Sequence, residues 1–241
     1  MKRKRKLKKS MKWMISGSII LIILILGYHL FQGNLIFWIP RGEQYDVLLD
    51  PGHGDYDPGC VFETLQEKDF NLKMASQVKQ LLENKGLKVK MTREDDNIPW
   101  EHNENADLKA RVKQSLVHDP ILFVSMHINS SYNPQGNGFE IYASEFRSLS
   151  KKAANTIYDN VMQLNLFQDR GVFTSLQRSL FVIDMNVNDA ILIETGFLSN
   201  AYDRSIICNE TYVNQICEQI ANGIYDCVSQ SDEYHKRHSN Q

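Results

Sequence analysis

The hydrophobic positions from residue 45 onward alternate between strand-like and helix-like periods. Residues 45–50 form a short apolar run that ends at a Pro-Gly pair, which predicts a buried strand followed by a turn. From Asp69, apolar residues recur with helical spacing and Gly86 follows them, so this segment is predicted to be a helix. The other predicted elements are a strand over 87–93, a helix around 108–116, strands over 121–127 and 138–143, a helix over 149–164, strands over 180–183 and 190–194, and a helix over 212–228.

This alternation predicts the α/β fold class, as a single domain with a largely parallel sheet flanked by helices. The strand over 121–127 is apolar on both sides, as expected when helices cover both faces of a sheet. The pattern shows no repeat and no second domain. Because ligands bind outside the carboxyl ends of strands in open α/β sheets, the functional site is expected at that edge.

The first part of the chain has the pattern of a membrane anchor. Residues 13–31 contain no Asp, Glu, Lys or Arg, and this length suits a bilayer core about 30 Å thick. Eight basic residues within 1–12 are expected to keep the N-terminus in the cytoplasm and the rest of the chain outside it. A cleaved signal peptide is the alternative, but no small-x-small cleavage site follows the apolar run. We therefore predict a basic segment over 1–12, a transmembrane helix over 13–31, a linker over 32–44, a domain over 45–228 and a polar tail over 229–241.

Charge and cysteine content exclude several classes of protein. Beyond the basic segment the chain has 19 basic and 29 acidic residues, and so acidic a body does not suit nucleic-acid binding. With 42% hydrophobic and 23% charged residues, the composition is that of a globular protein and not of a disordered one. Four cysteines without a CxxC pair predict neither a disulfide framework nor a zinc site built from sulfur.

Two histidines stand out because each follows a predicted strand and enters a turn. These are His53, in the sequence Pro-Gly-His-Gly, and His127, at the end of the strand over 121–127. Two imidazoles, one carboxylate and an open position make a catalytic zinc site, although both rings can equally be hydrogen-bonded core residues. Spacing alone does not decide which carboxylate completes the site; the candidates are Asp57, Glu63, Glu67 and Asp69. Glu67 lies at the start of the predicted helix, which is a rigid element for a ligand.

Five segments along the chain carry a family resemblance: Leu49–Gly54, Glu67–Leu72, Met91–Arg93, Ser125–Asn129 and Ile193–Asn200. In this order they resemble the zinc-dependent N-acetylmuramoyl-L-alanine amidases of the type-3 family, which are bacterial cell-wall hydrolases. The resemblance covers about residues 45–228 and implies that His53, Glu67 and His127 bind one Zn²⁺. It further implies that Glu194 is the catalytic acid/base, and that the substrate is the peptidoglycan amide between N-acetylmuramic acid and the L-Ala of the stem peptide.

Five further residues are candidates for supporting roles at this site. Asp50 and Asp57 are candidate partners that orient the histidines. Arg93, Arg111 and Asn129 are candidates for substrate binding or loop ordering, with simple salt bridging as the alternative.

Departures from the family pattern bear on the shape of the substrate groove rather than on the four central residues. They are Asp55 and Cys60 after the first histidine, and Asn188-Asp189 before the last strand. A Cys60 ligand to the metal is disfavoured, because a cysteine near a turn is usually a packing residue.

The predicted anchor and the resemblance together imply a location and a role. The anchor predicts a single-pass membrane protein with its domain outside the cytoplasm, and the resemblance implies a bacterial cell whose peptidoglycan the domain meets there. Because an acidic body is not attracted to an anionic wall, targeting is expected to come from the anchor or from an unidentified activating protein. Membrane-anchored, single-domain relatives include amidases of endospore cortex maturation. The alternatives are another zinc peptidase of peptidoglycan, or a catalytically silent wall-binding or regulatory protein.

Overall fold

The computed structural model describes residues 41–133 and 135–239. The strands are β1 (Val47–Pro51), β2 (Val61–Phe62), β3 (Leu65–Gln66), β4 (Val89–Met91), β5 (Leu122–Asn129), β6 (Phe139–Ala143), β7 (Asp169–Thr174) and β8 (Asp189–Phe197). The helices are α1 (Glu67–Asn84), α2 (Glu104–His118), α3 (Ser148–Met162), α4 (Phe181–Asp184), α5 (Ala201–Ile207), α6 (Glu210–Ser229) and α7 (Asp232–His238).

Six of these strands form one central sheet in the order β4-β1-β5-β8-β6-β7. Strands β4, β1, β5 and β8 are parallel to one another, β6 pairs antiparallel with β8, and β7 pairs parallel with β6. The prediction of a single α/β domain with a mostly parallel sheet flanked by helices is confirmed. Strands β2 and β3 pair separately as a small hairpin between β1 and α1.

Helices cover both faces of the sheet, which explains why its central strands are apolar on both sides. Residues of α1, α3 and α6 pack on one face, and α2 and α4 pack on the other. Leu49 faces the first cluster and its neighbour Leu48 faces the second, and burying each leucine contributes about 1.5–3 kcal/mol. The second cluster ends at Leu192 of β8. Glu194, two residues further along the same face, therefore lies beyond the apolar packing.

The strand predicted over residues 180–183 is wrong, because this segment forms the one-turn helix α4. The carboxylate of Asp184 accepts hydrogen bonds from the backbone nitrogen of Leu180 and from the hydroxyl of Ser179, which closes the turn. Val182 and Ile183 are buried against the sheet. A short apolar run has the same composition in a buried strand and in a buried helical turn, so periodicity alone could not separate them.

The transmembrane helix predicted over 13–31 and the basic segment over 1–12 lie outside the described residues. Within 41–133 and 135–239, no helix combines the length and the apolar character needed to cross a bilayer. In the segment predicted as a polar tail, α7 contacts the domain through Arg237, which donates to the backbone oxygens of Tyr45 and Asp119.

Candidate active site

The carboxyl ends of three neighbouring parallel strands bring the candidate residues together. His53 lies two residues after β1, His127 lies near the end of β5, and Glu194 of β8 is the register partner of His127. The turn after β1 requires glycine at position 52, because a Cβ there would lie 2.2 Å from Cε1 of His127. His53 itself has φ 62°, a left-handed conformation that costs a non-glycine residue about 1–3 kcal/mol. The chain therefore accepts backbone strain to point this ring toward His127.

Two imidazole nitrogens converge on one carboxylate oxygen. Nε2 of His53 lies 3.2 Å and Nδ1 of His127 lies 3.0 Å from Oε1 of Glu67. One ligand atom from each of these three residues falls within a group no wider than 4.8 Å. Two nitrogens and one oxygen are the donor set of a catalytic zinc site, so the residues present fit this ion.

Glu67 reaches this position because it is the first residue of α1 and follows directly after the β2–β3 hairpin. Its carboxylate accepts hydrogen bonds from the backbone nitrogens of Cys60 and Ile128 and from Nδ2 of Asn71. Four carboxylates were open candidates from spacing, and Glu67 is the one within the group. Among the others, Asp57 contacts a histidine.

Asp57 contacts the second ring nitrogen of His53, with 2.7 Å between Oδ2 of Asp57 and Nδ1 of His53. A carboxylate on the second ring nitrogen fixes the orientation of a metal-binding histidine. In the metal-free site, burial lowers the pKa of His53, but the hydrogen bonds to Asp57 and Glu67 outweigh it and raise the pKa to about 10. Burial raises the pKa of Glu67, but the hydrogen bonds to His127 and to His53 outweigh it, and the pKa lies well below its ordinary value. The imidazolium form of His53 and the carboxylate form of Glu67 therefore stabilise each other.

Glu194 is a buried carboxyl group with 7% of its surface exposed. Its Oε2 has no hydrogen-bond partner among the described residues. Burial, followed by the charge of Glu67, raises the pKa of Glu194 to about 8, and the charge of Arg178 opposes this rise. An unpaired carboxyl group with a raised pKa beside a candidate metal centre is suited to carrying a proton.

Asp50, a predicted partner of the histidines, lies within the sheet and contacts neither ring. Its carboxylate accepts hydrogen bonds from Thr92 and Ser125 and pairs with Nη1 of Arg111 at 2.8 Å. Asp50 acts on His53 through this arginine, since Nη2 of Arg111 donates to the backbone oxygen of His53 at 2.7 Å. Its influence on the site is therefore indirect.

The two candidate arginines are buried and bind backbone oxygens of the β1 turn. Arg111 also donates to the oxygen of Pro51, and Arg93 donates to the oxygens of Pro51, Gly52 and Lys68. The two guanidinium groups thus provide hydrogen-bond donors for the buried backbone oxygens of the turn after β1. This geometry is that of loop-ordering residues.

Sequence reasoning did not identify three polar residues near Glu194. Glu140 and Tyr142 lie on β6, and Arg178, between β7 and α4, contacts Tyr142. Asn129, a predicted site residue, donates from Nδ2 to Oε1 of Glu140 at 2.8 Å. Glu140 is 1% exposed and is the register partner of Glu194. A glutamate between Phe139 and Ile141 in a predicted apolar strand was the signal that could have identified it.

Cys60 stands outside the candidate metal group. Its backbone nitrogen, and not its sulfur, bonds Glu67, and burial raises the pKa of its thiol. All four cysteines are unpaired thiols. The site is therefore built from imidazole and carboxylate groups.

Fold and site together define an α/β domain with a candidate mononuclear metal centre at the carboxyl ends of its parallel strands. Residues 47–226 match the family model described as N-acetylmuramoyl-L-alanine amidase. The chain belongs to this amidase family, and the prediction of an amidase enzyme is confirmed.

Relatives and solved structures agree with this assignment. The germination-specific N-acetylmuramoyl-L-alanine amidase of Bacillus subtilis (strain 168) is 28% identical over 228 residues, which cover 90% of this chain and 95% of the relative. The catalytic domain of the amidase CwlV from Bacillus (Paenibacillus) polymyxa var. colistinus is 35% identical with a TM-score of 0.66, covering 75% of this chain and 96% of that one. The CwlD amidase of Clostridioides difficile, solved in complex with the GerS lipoprotein, is 26% identical with a TM-score of 0.69, covering 78% of this chain and 100% of that one.

Proposed function

We propose that this chain hydrolyses the peptidoglycan amide between N-acetylmuramic acid and the L-Ala of the stem peptide, using one Zn²⁺ held by His53, Glu67 and His127, with Glu194 as general acid and base. This proposal rests on the geometry of the site. Two imidazole nitrogens converge on Glu67. The buried Glu194, whose Oε2 has no hydrogen-bond partner among the described residues, is the register partner of His127 on the neighbouring strand. Membership of the amidase family supports the bond that is cut.

Each residue has a distinct task in this mechanism. When bound, Zn²⁺ supplies Lewis acidity that polarises the carbonyl and activates water. Glu194 takes a proton from the attacking water and delivers it to the nitrogen of L-Ala, which then leaves as an amine. Asp57 fixes the ring of His53, while Arg93 and Arg111 hold the turn that presents it.

Analysis of the newly formed chain ends tests the proposed bond. The full chain, purified in detergent with zinc, is incubated with cell-wall peptidoglycan, and the products are identified by mass spectrometry. We expect intact stem peptides with an L-Ala amino terminus and glycan with free lactyl carboxyl groups. New amino termini inside the stem peptide would show a peptidase instead. Zinc binding without release of any product would favour a silent regulatory protein.

We also propose that residues 13–31 anchor the chain in the bacterial cell membrane, with residues 1–12 in the cytoplasm and the catalytic domain outside it. The uncharged stretch and the basic segment before it support this orientation. External protease should digest the domain in intact protoplasts while an N-terminal tag stays protected. Release of the intact chain by an alkaline wash would contradict the anchor.

A role in endospore cortex maturation is the biological setting that we propose. The germination-specific relative, which matches nearly the whole chain, supports it. The complex of the CwlD amidase with a lipoprotein supports an extracytoplasmic protein partner as well. Deletion of the gene should abolish muramic lactam in the cortex, and unchanged lactam content would contradict this role.

A further inference from the structure

The sheet face that carries Glu194 continues onto β6. Glu140 is opposite Glu194 in the register, and Tyr142 is opposite Leu192. Alternate residues of a strand share one face, so these side chains lie on the same side of the sheet. Because neighbouring strands are about 4.8 Å apart, Glu140 lies one strand spacing beyond Glu194. A polar strip therefore runs from the candidate metal ligands across β8 to β6.

Arg178 is an exposed cation at the far end of this strip. Its Nη1 donates to the hydroxyl of Tyr142 at 3.3 Å, and its guanidinium carbon lies 5.4 Å from the centre of that ring. Within the part of the chain that the structure describes, no carboxylate lies at ion-pair distance from Arg178. The exposed guanidinium of Arg178 packs against an aromatic ring and uses one N–H donor in a hydrogen bond to Tyr142. Its remaining donors can bind an anion.

The nearby negative charge of Glu140 is already engaged. This carboxylate pairs with Arg170 and accepts hydrogen bonds from Asn129 and from the hydroxyl of Tyr142. Arg170 in turn lies over the ring of Phe197, with its guanidinium carbon 4.9 Å from the ring centre. Arg170 therefore balances Glu140. The charge of Arg178 acts on Glu194 and Glu140 from a distance, but none of the described carboxylates forms an ion pair with its guanidinium.

The proposed mechanism, on which this inference rests, sets the direction of the substrate. The carbonyl group of the scissile amide is placed toward His53, Glu67 and His127, because a cation held by these residues would polarise it. The nitrogen faces Glu194, because the general acid must reach the leaving amine. The stem peptide therefore extends from Glu194 over β6, at about 3.3–3.6 Å per residue, toward Arg178.

We propose that Arg178 binds a carboxylate of the stem peptide, at the residue that follows L-Ala, and so determines which stem peptides are cut fastest. Arginine binds carboxylates through two parallel hydrogen bonds, and such charge-assisted bonds are stronger than neutral ones. Where the second residue is D-isoglutamate, its α-carboxylate lies one residue from the leaving nitrogen. Amidation of that carboxylate removes the charge without changing its size.

Two synthetic fragments test this assignment with the full chain and zinc. They share one glycan and one stem peptide and differ only in the second residue, which carries either the free α-carboxylate or its amide. We expect wild type to show a kcat/KM about tenfold higher for the carboxylate fragment. Arg178→Gln should abolish this preference, so that both fragments are cut with the same kcat/KM, and Arg178→Lys should restore part of it. Loss of the charge that acts on Glu194 changes both values by the same factor and does not alter their ratio. The control is Arg41→Gln, which removes an exposed arginine near Asp119 at the opposite edge of the sheet.

The outcomes separate this inference from the proposed function. Equal cleavage of both fragments by wild type would overturn the carboxylate subsite while supporting the amidase. A preference that Arg178→Gln retains, with both values lowered by the same factor, would also overturn it, because a structural role or an effect through Glu194 makes no distinction between the fragments. Failure of wild type to cut either fragment would overturn both proposals.

Discussion

Replacement of Glu194 by glutamine is expected to lower the rate of amide hydrolysis about 1,000-fold, within the range that a general acid or base contributes. Glutamine has the size of a protonated glutamate and can donate a hydrogen bond, but it cannot transfer a proton. The zinc content should stay at the wild-type level, because Glu194 is outside the group formed by His53, Glu67 and His127. Rates on purified peptidoglycan and metal analysis of the same samples measure both effects.

Two control variants make this result specific. Glu218→Gln changes an exposed glutamate on α6 and should leave the rate unchanged. His127→Ala should lose both metal and activity, which separates loss of the ion from loss of the acid. A Glu194→Gln protein that keeps more than a tenth of the wild-type rate, or that loses its zinc, would contradict the assigned role.

Glu194→Gln, although it lowers activity, is expected to raise the stability of the metal-free protein. Burial and the charge of Glu67 raise the pKa of Glu194 in the folded state to about 8, from an ordinary value of 4.5. A raised pKa means that the folded state binds the proton more tightly than the unfolded state. Its contribution to stability is therefore complete below about pH 4.5 and is lost as the pH rises to about 8. Relative to wild type, Glu194→Gln should gain stability over this range in denaturant titrations with a chelator.

The sequence predicts the central site well because its residues lie at the ends of apolar strands. His53, His127 and Glu194 converge through the parallel order of β1, β5 and β8, which the alternation of strands and helices already indicated. The choice of Glu67 needed more than spacing. The β2–β3 hairpin, whose strands have two residues each, turns the chain before α1. Strands this short leave no periodic signal in the sequence.

The surroundings of the site were less predictable because they depend on the reversed strands. The sequence gives no sign that β6 runs antiparallel to β8, and β7 was not predicted, so the approach of Glu140 and Arg178 to Glu194 could not be inferred. The route by which Asp50 reaches the site was equally unpredictable. Alternation along β1 places it beside Ser125 and Arg111, so it contacts His53 only through this arginine.

The buried Asp50–Arg111 pair leads to the largest expected effect on stability. Arg111→Met should lower the free energy of unfolding by about 3–5 kcal/mol, because it leaves a buried carboxylate without its cation. Asp50 is 0% and Arg111 2% exposed, and Asp107 loses the same partner. Urea titrations of the metal-free protein at pH 7 measure the change, with the exposed Arg41→Met as a control.

A second variant tests whether the unpaired charge is the cause. Burial raises the pKa of Asp50, but Arg111 and the hydroxyls of Thr92 and Ser125 outweigh it, so that the pKa lies below 3.8 in wild type. Without Arg111 the balance is reversed, and Asp50→Asn in the Arg111→Met background should recover part of the lost stability because the amide is neutral. If the double variant is no more stable than Arg111→Met alone, the loss comes instead from the unsatisfied carbonyls of Pro51 and His53. In that case zinc affinity should fall in both variants to the same extent, since the turn that presents His53 would be released in each.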